Sequence, residues 1–173
     1  MIDMSEQAWP ALPFIGWQDT CTTLHMWTQV VGKIRLALEP MVNHWWQVPL
    51  YVTATGLTTS PMPYGARSVQ IDFDFCRHTL DIVTSDRRRA EIGLAPMTVA
   101  EFYDKTMQAL HDLGIDVSIW TMPGEVDDAI PFEQDNQHRS YDADAVHRFW
   151  RALVQMDRVM KQFRAGFIGK VSP

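Results

Sequence analysis

Three stretches of the sequence carry side chains able to move a proton or grip a ligand. His44-Trp45-Trp46 sets an imidazole beside two indoles. A donor at the lip of a pocket walled by indoles suits a small ligand; a packed turn, with the histidine bonded to a backbone carbonyl, would use the same residues. Asp72 and Asp74 stand two apart, which on a strand puts them on one face. Paired carboxylates do acid–base work when burial raises the pKa of one of them, whereas the polar side of an alternating strand usually faces water. The third stretch, FEQDNQHRSYD, gathers Glu133, Asp135, His138, Arg139 and Tyr141. No nucleophile accompanies them, so a solvated loop pinned by Ile130, Phe132 and Tyr141 is the plainer account.

Established catalytic signatures are missing. The chain has no GxSxG, HExxH, GxxxxGK[ST] or CxxC string. Gly32-Lys33 and Gly169-Lys170 lack the glycine-rich approach that cradles phosphate, and Arg87-Arg88-Arg89 reads as a solvated turn. The six histidines are scattered, none three or four residues from another. A metal site needs three or four convergent ligands, so no metal and no cofactor is expected.

Composition narrows the class. One core serves a chain of 173 residues, 46% of them hydrophobic and 21% charged. A net charge of −6 opposes nucleic-acid binding, which needs a dominant basic face. Cys21 and Cys76 are too few for a disulfide framework and read as reduced thiols. The opening residues lack the basic start and apolar run of a signal peptide, and no apolar stretch approaches the roughly 20 residues that span a bilayer. A cytoplasmic location without membrane contact is therefore expected.

The elements that must position these residues follow from apolar rhythm. Residues 1–17, rich in proline and tryptophan, read as an extended arm packed on the body. Leu24, Trp27, Val31, Ile34 and Leu38 recur at spacings of three and four, predicting a helix over 19–39 that is capped by Asp19 or Thr20 and stopped by Pro40. The rhythm then becomes two. Val48 to Ala54 gives a strand at an edge because of Pro49. GLTTSPMPYG reads as a loop. Val69, Ile71, Phe73 and Phe75 form the clearest strand, and two more follow around Leu80–Ile82 and Ala90–Leu94 in a meander. Thr98 and Glu101 fit a capping box, and Met97 with Phe102 a hydrophobic staple, for a helix that Gly114 ends. Ile115, Val117 and Ile119 predict a further strand, parallel to its predecessor after a crossover. A long acidic loop fills 122–141, and Asp142 caps a last helix to about 165. The expectation is one α+β domain over 1–173: two layers, with a mainly antiparallel sheet of about five strands and three helices in the order α-β-β-β-β-α-β-α.

The strings NHWWQVPLYVTATGLTTSPMPYG, VQIDFDFC, FYDKTMQALHDLGI, SYDADAVHRFWRAL and FRAGFIGKVSP together resemble an uncharacterised bacterial family, catalogued as domain of unknown function five-nine-nine-six. The resemblance covers Trp9 to Pro173 and implies no activity and no catalytic residue. Chains resembling this one run on past the KVSP motif, whereas this one stops there, as a short member, an incomplete gene or an engineered length. If later strands complete the sheet in such chains, an apolar edge is left that a second copy would cover, giving a homodimer. The leading expectation is a non-catalytic module binding a small molecule or peptide, with His44, Trp45, Trp46, Tyr64, Arg67, His138 and Tyr141 lining its pocket. The alternatives are a hydrolase or lyase pairing His44 or His138 with Asp72 or Asp74, and a self-associating interaction domain.

Overall fold

Backbone pairing is organised around one strand. The computed structural model describes residues 8–169; the start of the N-terminal arm, Lys170 and the KVSP end lie outside the described residues. Six strands form an antiparallel sheet: β1 (Tyr51–Val52), β2 (Gly56–Thr58), β3 (Met62–Tyr64), β4 (Arg67–Asp74), β5 (Thr79–Thr84) and β6 (Arg89–Gly93). Their order is β1-β2-β4-β5-β6, with β3 also on β4. Val69, Ile71, Phe73 and Phe75 of the β4 run are buried, while Gln70 and Asp72 are half-buried on the other face. The meander β4-β5-β6 is as the alternation predicts, in a register that sets Ile71 against Ile82 and Phe73 against Leu80.

The stretch read as a loop is instead two short strands. β2 and β3 lie end to end along one edge of β4, with Leu57 opposite Phe73 and Met62 opposite Val69. Between them the buried Thr59 keeps the ladder whole: its N–H donates to the Ile71 carbonyl at 3.0 Å, and its hydroxyl accepts from the Ile71 N–H at 3.0 Å. A side chain there replaces the backbone acceptor lost when the chain kinks at Ser60, whose φ is 59°. Turn-forming residues hid strands only three residues long.

Three helices complete the α+β fold: α1 (Gln18–Leu38), α2 (Val99–Asp112) and α3 (Ala143–Ala165). Trp27 of α1 stacks on Phe102 of α2 at 4.8 Å between centroids and on Tyr141 at 5.4 Å, and Phe102 stacks on Phe73 of β4 at 6.2 Å. The core lies between sheet and helices along that column. Glu39, before Pro40, is extended and ends α1. The predicted cap of α1 is not formed. Trp17 occupies the cap position, and the Thr20 hydroxyl accepts from the Asp142 N–H at 3.0 Å, tying the start of α3 to α1. Asp142 in turn accepts from the Asp144 and Ala145 N–H groups, as expected of an N-cap.

α2 accounts for most of its own end groups. The Thr98 hydroxyl accepts from Glu101 N–H, whereas the Glu101 carboxylate goes to Lys105 at 2.7 Å and not back to the cap. Val99 and Ala100 N–H donate to the carbonyls of His138 and Asp135, so the acidic loop serves as the remainder of the cap. At the other end Gly114, at φ 70°, lets its own N–H reach His111 and that of Ile115 reach Leu110.

Residues 115–119 overturn the predicted parallel strand. Ile115 is buried and Val117 and Ile119 are half-buried, so the alternation is real, yet the segment joins no ladder. Side chains hold its start: Arg67 donates to the Leu113 and Gly114 carbonyls at 3.3 and 2.7 Å, and Asp116 N–H donates to Tyr64 Oη at 2.9 Å. The sheet order places β6 at the opposite edge. Among the described residues from Phe14 on, the α and β elements thus run one helix, six strands, then two helices.

Gly56 gives a direct test of the β2–β4 contact. A Cβ built there would lie 1.8 Å from the Phe73 carbonyl oxygen, a backbone atom that cannot swing aside. Gly56→Ala is expected to lower stability at or above the upper end of the about 1–3 kcal/mol usual for overpacking. Gly16→Ala, with nothing within 4 Å, should leave the urea midpoint nearly unchanged.

Candidate functional site

The seven residues expected to line one pocket go to four places. Tyr64 and Arg67 form the clasp on 113–116, with Arg67 also paired to Asp86 at 3.3 Å. His138 gives its Nδ1 to Asp135 at 2.7 Å, in the loop that caps α2. Tyr141 belongs to the aromatic column. His44, Trp45 and Trp46 form a 3-10 turn in which His44 (φ 59°) and Trp45 (φ 60°) are both left-handed. Of the seven, only Trp45 reaches the apolar concavity beside α1.

The acid–base pairing of the sequence finds its members otherwise engaged. Both Asp72 oxygens accept from Gln70 Nε2, at 3.0 and 2.8 Å. Asp74 accepts from the Cys76 and Arg77 N–H groups and so fixes the β4–β5 turn. Among the described residues no group of three or more His, Cys, Asp or Glu is arranged to hold a metal ion, and no helix is long and apolar enough to cross a membrane.

That concavity is an open cleft of about 840 Å³. Its floor is the outer flank of α1, where Cys21, His25, Thr28, Gly32 and Leu36 follow one another at helical spacing. None of these five is charged at neutral pH with histidine neutral, although a solvated flank ordinarily carries Lys and Glu. This was the signal in the sequence that could have located the site. One wall is Trp45, Val48, Leu50 and Leu57; the other is Trp17 and Phe149 of α3, whose rings lie 5.1 Å apart. Gly32 leaves the floor open: a Cβ there would meet only Val48 Cγ1, at 4.0 Å.

Polar groups sit at the mouth. The Gln29 amide pairs both ways with the Gly124 backbone, donating to its carbonyl at 2.9 Å and accepting from its N–H at 2.8 Å. That pairing brings Glu125 to the rim. Lys33 lies 5.5 Å from the Trp120 ring and forms none of the ion pairs among the described residues. Burial pulls its pKa down and pushes that of the Cys21 thiol up.

A second polar cluster, also unforeseen, joins the β4–β5 turn to α3. His78 Nδ1 lies 2.9 Å from the Tyr141 hydroxyl. Burial pushes the phenol well above its ordinary value, so it stays protonated and donates to the imidazole. Burial also holds the His78 imidazole down, with His147 adding repulsion while Asp74 and Asp144 pull the other way.

Fold and cleft together define a two-layer α+β protein with an open apolar cleft along the outer flank of its first helix. The model of a family of unknown function, DUF5996, matches residues 9–173, and the chain belongs to that family. Neither the curated proteins nor the solved structures compared with it contain a match.

His78 sets a pH dependence whose sign follows from its lowered pKa. Between the folded value and the ordinary 6.5 the unfolded chain binds more protons, so stability falls as pH drops through that window and is whole above it. His78→Asn suits the left-handed backbone there, φ 55°. Thermal melts of both proteins should differ by a constant amount above pH 6.5, with the wild type losing ground below it.

Proposed function

We propose that the protein is a non-catalytic binding module that takes a small, largely apolar molecule into the cleft beside α1, with Lys33 meeting an anionic end. The observation that carries this reading is the cleft itself: about 840 Å³ walled by Trp17, Leu24, Leu36, Trp45, Leu50 and Phe149. Ligand pockets commonly enclose roughly 300–1,000 Å³ and have apolar walls with a few polar groups at fixed points.

Two costs support the reading. Gly32 inside a helix gives up about 1 kcal/mol relative to alanine, and no close contact demands it. Consecutive left-handed residues at His44 and Trp45 cost on the order of 1–3 kcal/mol each, and they set the Trp45 indole at the cleft. A cation at the mouth without a carboxylate partner among the described residues supports a site for an amphipathic acid.

Thermal shift with dodecanoate and 1-naphthylacetate tests this. Each should raise the melting temperature with concentration, since a ligand at about 100 times its Kd adds about 2.7 kcal/mol. Gly32→Leu fills the floor and should abolish the shift without lowering the melting temperature of the free protein. Lys33→Ala should weaken both acids by roughly tenfold while leaving 1-dodecanol unaffected. Absence of any shift at saturating probe, or an equal shift in Gly32→Leu, would end the proposal.

A further inference from the structure

The last helix carries a second surface, independent of the cleft. Val146, Phe149, Leu153, Met156, Met160, Phe163 and Phe167 recur at spacings of three and four, the rhythm of a coiled-coil seam. The first three meet the body: Val146 is fully buried, and Phe149 and Leu153 are half-buried. The seam then continues past the body into solvent. Met156, Met160, Phe163 and Phe167 are 44%, 67%, 84% and 61% exposed. Four large apolar side chains in one row form a patch that isolated surface residues do not make.

We infer that this tip pairs, antiparallel, with the same tip of a second copy. Self-complementarity of the row supports that occupant. When Met160 stands opposite Phe163 of the second copy, the two symmetric layers each set a flexible thioether against a ring, a favourable contact, and Met156 comes level with Phe167, which follows the helix end at Ala165. The flanks agree with that register. On one side Asp157 comes beside Arg164 of the second copy, twice by symmetry. On the other, Val159 comes beside Gly166, where the missing side chain allows close approach. Sliding the pair by one heptad toward the body sets Asp157 against Asp157, a like-charge contact, and drives the seam onto residues already covered. Charge therefore selects the register that uses only the exposed part. The seam is short, below the span of a standard interface, so the dimer is weak and concentration-dependent.

Sedimentation velocity over a wide concentration range tests the inference. The wild type should move from the mass of one chain to that of two. Asp157→Arg and Arg164→Asp, each alone, place like charges together and should weaken dimerisation by about tenfold. The double reversal Asp157→Arg/Arg164→Asp restores opposite charges and should recover it. Phe163→Glu should leave a monomer with an unchanged circular dichroism melt. A strict monomer at every concentration overturns the inference and assigns the face to a different partner. A dimer indifferent to Phe163→Glu, or one that the double reversal does not recover, overturns it as well.

Discussion

The column of rings running from Phe73 through Phe102 and Trp27 to Tyr141 joins the sheet, α2, α1 and the approach to α3, and each layer takes its position from it. Each ring buries roughly 150–250 Å², and the four come from distant parts of the chain, so no local segment can form the column by itself. Its cost is visible. Trp27 is fully buried and its Nε1–H has no acceptor among the described residues, a loss of about 1–3 kcal/mol. The indole is kept because its two stacking partners, Phe102 and Tyr141, lie 4.8 and 5.4 Å away. Tyr141 then carries the constraint outward, since its hydroxyl is fixed on His78 in the β4–β5 turn. The buried column and the half-buried His78 are parts of one arrangement.

The sequence revealed the elements whose signals are local and hid those settled by distant partners. The buried face of α1, the β4-β5-β6 meander, the Thr98 and Asp142 caps and the Gly114 stop all rest on neighbours within a turn or a hairpin. Ile115–Ile119 shows the limit. Alternation reports an extended chain with one apolar face, and says nothing of whether its backbone finds a ladder or the side chains of Tyr64 and Arg67. β2 and β3 fail in the opposite sense: Ser-Pro and Pro-Tyr-Gly announce turns, yet β4 supplies an edge long enough to pair the short pieces between them. Residue type alone groups seven candidates into one pocket, and five of them, Tyr64, Arg67, His138, Tyr141 and Trp46, serve other contacts or lie apart from the cleft. His44 is likewise outside it, and contributes through its backbone.

What the residue types concealed, the two faces of α1 explain. One face, with Leu24, Trp27, Val31 and Ile34, is core. The adjoining flank, from Cys21 to Leu36, carries Lys33 as its one charged group at the cleft and is not covered by another element. Three separate segments are brought to its borders: the left-handed turn at 44–45, the acidic loop pinned by Gln29 on Gly124, and the root of α3 at Phe149. Their convergence comes from the fold, because these segments are far apart along the chain.

The cleft wall and the exposed row of the α3 tip share one helix. Phe149, at the cleft, and Met156, where the exposed row begins, are seven residues apart on one face. At 1.5 Å per residue that separates them by about 10 Å along the axis. In the proposed pairing, the second copy's Phe167 would lie opposite Met156, about 10 Å along the axis from Phe149. Phe149 packs on Trp17 within one wall of the cleft while Leu153, one turn further on, still packs against the body. The helix is thus held at its root whatever its tip meets. A molecule in the cleft would touch that fixed root.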